Sequence, residues 1–275
     1  MTGAIERVVV PLDAASESRA AIDTAARLAH RWGAQLHGVF VEDGDLLHLA
    51  RYPFARQVSI GIGVERLTAE QVERQLRAFA ARARIEVEAA ARRHGVEWTF
   101  EISEAAAADA ALTRSERDFL VAGTATRPVG PHFRIECRWW QVIEKNTAVS
   151  YLLVHREWAA NGTVMTLVTD RGPAAERVLD VAAQCAEIVD GTLTVACPAG
   201  LAAAADFEGW LAERLAAHPI TLQIELAPED GAALLARFAE LNCQLLVLGA
   251  GAVAAEPQWL RQAAARAAYG LLIVR

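Results

Sequence analysis

Short apolar runs alternate with amphipathic stretches along the whole chain. Residues 8–12, VVVPL, form an apolar run that ends at Asp13, and apolar positions then recur at three- and four-residue spacing through AAIDTAARLA. Run, turn and amphipathic stretch predict a buried strand followed by a helix that covers it. QLHGVFVE (35–42) and VEWTFEIS (96–103) predict the next strands, and FLVAG (119–123) and YLLVH (151–155) two more. Between them Thr68 and Gln71 make a capping box for a helix over about 69–94, which Gly95 ends. Its expected apolar face is Val72, Leu76, Phe79, Ala83, Val87 and Ala90.

The same order of elements recurs. MTLVTDRGPAAERVLDVAAQCA (165–186) repeats VVVPLDAASESRAAIDTAARLA (8–29), placing Asp170 on Asp13 and Leu179-Asp180 on Ile22-Asp23. TLTVACP (192–198), ITLQIELA (220–227), LLVLG (245–249) and LLIVR (271–275) continue the copy. Buried strands alternating with helices imply parallel sheets covered on both faces. The expected fold class is therefore α/β: two doubly wound domains, 1–157 and 163–275, joined by the polar linker REWAANGT (156–163). The first unit is longer, mainly through 42–67, a stretch expected to be a lid, a binding loop or a partner surface.

Composition narrows the function classes. With 53% hydrophobic and 22% charged residues the chain suits packed domains, and no apolar run reaches the length of a membrane span. No signal peptide is read at the N-terminus, and four scattered cysteines (Cys137, Cys185, Cys197, Cys243) read as buried free thiols in a reducing cytoplasm. A net charge of −7 argues against nucleic acid as a partner, and no membrane partner is expected. Lys145, the only lysine, follows no glycine-rich loop, which excludes a Walker P-loop. No nucleophile elbow, H-E-x-x-H or ordered triad occurs, so catalytic residues are not expected. The acidic turn around His37, Glu42, Asp43, Asp45 and His48 reads as a solvated strand end, with a metal site as a remote alternative. Trp139 and Trp140 are adjacent, so if helical they point about 100° apart, one inward and the other to solvent or a partner.

VVVPLD, the A-x-x-x-A helix spacing, LVAG and YLLV, in that order and repeated, resemble the universal stress protein family. The resemblance covers nearly the whole chain, twice. It implies two five-stranded parallel-sheet domains of the adenine nucleotide alpha hydrolase-like type, associated about a pseudo-two-fold through their last strands. It also implies an adenine nucleotide site, ATP or AMP, at the carboxyl ends of the strands in those members that bind one. On that resemblance Asp13 and Asp170 would contact base and ribose, and Val41 would line the base. The phosphate loop G-x2-G-x9-G-S/T would start at Gly123 and at Gly249. Here Thr126, Glu136 and Cys137 stand in the remaining places of the first loop, and Ala252, Gln262 and Ala263 in those of the second.

GAGAVA, with Gly249, Gly251 and Ala254, also matches the dinucleotide fingerprint. That motif belongs after the first strand of a βαβ unit, whereas here it follows the fourth strand of the second copy. The resulting expectation is a cytoplasmic tandem stress-related regulatory or interaction module with no bound cofactor and an unidentified protein partner, a homodimer being one arrangement. The alternative is an ATP/AMP-binding protein, even a slow ATPase, using Asp13 and a modified loop of Gly123, Thr124, Thr126 and Arg127. Asp13 and Asp170 are also suited to be helix N-caps.

Overall fold

The computed structural model describes residues 5–13, 19–42, 44–52, 54, 56–59, 63–104, 107–123, 149–228, 231–241, 243–251 and 270–275. The first half runs β1 (Arg7–Leu12), α1 (Arg19–Trp32), β2 (Gln35–Glu42), α2 (Gly44–Ala50), β3 (Arg56–Ser59) and β4 (Gly63–Arg66). It continues with α3 (Ala69–His94), β5 (Trp98–Glu104), α4 (Ala108–Leu112), β6 (Asp118–Gly123) and β7 (Ser150–Val154). The second half runs β8 (Thr163–Leu167), α5 (Pro173–Ile188), β9 (Thr192–Cys197), α6 (Ala199–Ala202) and α7 (Phe207–Leu215). Then come β10 (Thr221–Leu226), α8 (Gly231–Glu240), β11 (Cys243–Gly249) and β12 (Gly270–Val274).

Ten of these strands form one sheet in the order β10-β9-β8-β11-β12-β7-β6-β1-β2-β5. Within each half of this sheet every pairing is parallel, and the halves meet in the antiparallel pair β7–β12. Leu152 and Leu272, which are repeat equivalents, are each other's ladder partners. The flanking pairs, Tyr151–Ile273 and Leu153–Leu271, are exchanged by the same operation. Self-pairing of equivalent residues is what a two-fold axis at Leu152 and Leu272 requires.

One side of the sheet is covered by α1, α3, α5 and α7, and the other by α4 and α8. Strand burial follows: β1, β6, β7 and β12 are buried along nearly their whole length, because central parallel strands have cover on both faces. The two edge strands, β5 and β10, keep alternating exposed positions. Across the seam α1 packs on its own repeat equivalent, α5. Arg27 donates to Ile188 O, Arg31 pairs with Glu187, and the Trp32 indole donates to Gln184. Cations at the end of one helix thereby meet the carbonyl end of the other, where the macrodipole is negative.

α3 starts and stops where its caps predict. Thr68 Oγ1 accepts from Gln71 N, the Gln71 side chain accepts from Thr68 N, and Gly95 adopts φ 67°. Its buried face differs from the expected one, since Ala80 and Ala91 are buried while Phe79 stands 38% exposed. The segment 42–67 is more than a loop, for it contains α2 and the β3–β4 hairpin. The linker is less solvated than its composition suggests. Trp158 is buried, and Gln244 from β11 both accepts from Ala159 N and donates to Ala159 O.

Candidate functional site

In an open parallel sheet the crevice lies at the carboxyl ends of the strands, where the strand order reverses. In the first half that place is between β1 and β6. Their ladder runs Arg7–Asp118, Val8–Phe119, Val9–Leu120 and ends there, whereas β1 and β2 stay paired as far as Leu12–Phe40. Pro11, which has no N–H to donate, follows the end of the β1–β6 ladder and is tolerated in a central strand because the strands part at this point.

Three of the residues expected at the site border this crevice. Asp13 follows the end of β1 and is half-buried, as is Val41 near the end of β2, while Gly123 closes β6 and is buried. Thr124, Thr126 and Arg127 lie outside the described residues, as do Glu136, Cys137, Lys145, Trp139 and Trp140. α1 is described from Arg19 onward, and residues 14–18, which join it to Asp13, lie outside the described residues.

Among the described residues the strand ends beside the crevice are acidic. Glu42 and Glu104 end β2 and β5 as direct cross-strand partners. Two carboxylates side by side, with Asp13 on the next strand, give a negative edge where a nucleotide would need donors and cations for its phosphates.

The second half uses the equivalent residues differently. Asp170 is exposed, and its Oδ1 accepts from Gly172 N at 2.7 Å, closing a turn ahead of α5. The N-cap is Gly172, followed by Pro173 in the first turn, so Asp170 is a turn residue and not the helix cap. Gly249 ends β11, and a Cβ placed on it would stand 3.2 Å from Val178 Cγ2 of α5. Helix α5 and strand β11 thus approach closely over a glycine, which accounts for Gly249 through packing. Gly251 is exposed with open space around its Cα, and nothing local requires glycine there. Ala252, Ala254, Gln262 and Ala263 are outside the described residues.

The residues grouped at the acidic turn are not brought together. His37 and Glu42 are at opposite ends of β2, about 17 Å apart at 3.3 Å per residue. His48 lies exposed on α2, Asp43 is outside the described residues, and the side chain of Asp45 is likewise not described. Among the described residues no three His, Cys, Asp or Glu side chains are placed to hold a metal.

The polar cluster that sequence reading missed is at the other end of the sheet. Asp118, 3% exposed, accepts from Arg7 Nε at 2.9 Å and Nη2 at 2.6 Å, and from the amides of Arg114 and Ser115 at 2.8 and 2.9 Å. Burial alone would push this carboxyl up, but the Arg7 hydrogen bond and the two amides outweigh it and hold the group below the usual carboxylate range. Nearby, the buried His37 has Nδ1 2.7 Å from Thr99 Oγ1 and Nε2 3.6 Å from Glu101 Oε1, and Arg114 donates to the other Glu101 oxygen. Burial, reinforced by the Arg7 charge, pushes the His37 imidazole down. These groups sit at the amino ends of β1, β2, β5 and β6, away from the crevice, and they hold the sheet margin together. The partners come from β1, β2, β5, β6 and the turn before β6, so no sequence spacing announces the cluster.

A histidine with a depressed folded value is destabilised by protonation. Stability should therefore fall as pH drops below the unfolded value of about 6.5. His37→Gln is expected to flatten that part of the profile, read by urea melts between about pH 7 and about pH 5. An unchanged slope would assign the titration to another group.

Among the described residues the thiols add no chemistry. Cys185, Cys197 and Cys243 are free and buried, and burial pushes Cys185 and Cys243 up to about 12, leaving no thiolate near neutrality.

No family model matches the sequence, and neither does any curated protein. Solved structures do match. A universal stress protein from Archaeoglobus fulgidus superposes over 98% of this chain and 98% of its own, with TM-score 0.62 at 14% identity. The fold is that of the universal stress proteins. A Pseudomonas aeruginosa protein described as functionally unknown superposes over 98% of this chain and 92% of its own, with TM-score 0.61 at 13% identity. A universal stress protein from Archaeoglobus fulgidus in complex with dAMP aligns with 42% of this chain at TM-score 0.35, a likeness that maps no ligand contact onto this sequence. Within the universal-stress fold, the strand order and the self-paired β7–β12 seam agree with the architecture that the sequence resemblance implied.

Proposed function

We propose that this chain is a tandem universal stress protein that acts as a regulatory or interaction module without adenine nucleotide bound in the usual way. The observation that carries the reading is the acidic rim of the first crevice, where Glu42 faces Glu104 beside Asp13. A triphosphate would bring further negative charge against the Glu42–Glu104 pair. The second half supports the same reading, because Gly249 is used to admit α5 and Asp170 to close a turn. Two repeats with the nucleotide chemistry withdrawn leave a rigid double scaffold whose surfaces remain available to a partner. We place it in the cytoplasm, and among the described residues no helix is long and apolar enough to cross a membrane.

The purified protein should release no nucleotide when it is denatured and its supernatant chromatographed. Thermal-shift titration with ATP, ADP or AMP plus magnesium should be flat, where a ligand at about 100 times its Kd would add about 2.7 kcal/mol. Stoichiometric ATP or AMP in the supernatant would overturn the reading.

One observation favours a second reading, an ATP- or AMP-binding protein. The β1–β6 ladder ends early and leaves a crevice bordered by Asp13, Val41 and Gly123. If a shift appears with AMP, Asp13→Ala should remove it, and persistence of the shift in that variant would place the ligand elsewhere.

A further inference from the structure

Between β2 and α3 the chain carries α2 and the β3–β4 hairpin, where the second half has only the short α6 between β9 and α7, and what this segment turns outward sets it apart from the rest of an acidic chain. Its inner side is anchored, with Leu47 and Ala50 packed against Leu67, Val72 and Leu76. Its outer side is apolar and aromatic. Leu49 is 44% exposed, Tyr52 53% and Phe54 72%, and the last two rings stack at 5.4 Å. Three arginines, Arg51, Arg56 and Arg66, are exposed in the same segment, and among the described residues none of them forms an ion pair. Arg56 and Arg66 are direct partners across the β3–β4 hairpin. Directly opposed residues share a face, so two like charges stand side by side, a costly placement that an external anion relieves.

From these observations we infer that the surface carrying Leu49, Arg51, Tyr52, Phe54, Arg56 and Arg66 is a docking surface for an anionic lipid bilayer. Arginines at a negatively charged surface each add about a fivefold factor to partitioning. Aromatic side chains settle at the headgroup level, where an apolar ring meets a polar boundary. The apolar groups here protrude, and a fluid surface accepts protruding rings, whereas an acidic peptide is recognised by a recess. A second copy docking by a two-fold would set the arginines against one another. The net charge of −7 does not oppose contact. At physiological ionic strength charges more than about 8 Å from the bilayer are largely screened, so the local patch decides. The inference runs against the expectation, drawn from the charge and hydropathy of the chain as a whole, that no membrane is a partner.

The test is co-sedimentation of the full chain with phosphatidylcholine vesicles containing or lacking phosphatidylglycerol. Binding should require phosphatidylglycerol and weaken as salt rises. Arg56→Glu with Arg66→Glu should lower the partition coefficient by about two orders of magnitude, and Phe54→Ala should lower it severalfold. Thermal melts of both variants should match the parent, because these side chains are exposed. Equal binding to both vesicle types, no binding to either, or undiminished binding by the double variant would overturn the inference. Competition by inorganic phosphate that abolishes vesicle binding would also overturn it in favour of a small-anion site. Binding to polyglutamate but not to vesicles would overturn it in favour of an acidic polypeptide.

Discussion

Asp118→Ala should destabilise the protein by about 3–5 kcal/mol, the usual cost of breaking a buried ion pair from one side. The carboxylate is all but fully buried and accepts four hydrogen bonds, two from Arg7 and two from the turn that precedes β6. Removing it leaves the Arg7 guanidinium, only 17% exposed, without its counter-charge, and two amides without acceptors. For a chain of this size the loss corresponds to a fall in Tm of roughly 10 °C. The pH dependence has a definite sign. Because the folded carboxyl titrates below its unfolded value of about 3.9, its stabilisation is complete above that value and is lost as pH falls through it toward the folded one. Urea melts of the parent should therefore steepen in acid below about pH 4, and those of Asp118→Asn should lack that component. A variant within about 0.5 kcal/mol of the parent at neutral pH would mean that Arg7 and the turn find other partners.

The second large effect belongs to the seam. Leu152 and Leu272 are fully buried, share the face covered by α1 and α5, and pair across β7–β12. Each Leu→Ala change should cost about 2–5 kcal/mol. Since the two side chains are neighbours on one face, the double variant should depart from additivity by about 0.5 kcal/mol or more. A continuous sheet with a helix-on-helix seam should also unfold in one transition, which coincident circular dichroism and fluorescence melts would show. Two separate transitions, with strict additivity of the leucine variants, would describe two domains that merely touch.

The candidate site was partly legible. The positions of Asp13, Val41 and Gly123 at strand ends were legible, because strand ends and their order along the chain are local information. The roles of Asp170 and Gly249 were not, since a turn hydrogen bond and a close helix approach depend on where the next element lands. The hairpin within 42–67 did have a signal, two short runs around the glycines of RQVSIGIGVER, but the longer strands on either side overshadowed it. The acidic rim had none, because Glu42 and Glu104 become neighbours only when β5 lies beside β2.

By itself the sequence determined that a strand–helix unit is used twice, that α3 is capped by Thr68 and Gly95, and that the central strands of each half are parallel and buried. Periodicity, caps and repetition are properties of nearby residues. Only the tertiary structure decided that the halves share one sheet with Leu152 on Leu272, that Asp118 is held by Arg7, and that like charges face each other at Arg56 and Arg66. Those are pairings between strands, and register between strands is set by the packing of a whole face at once.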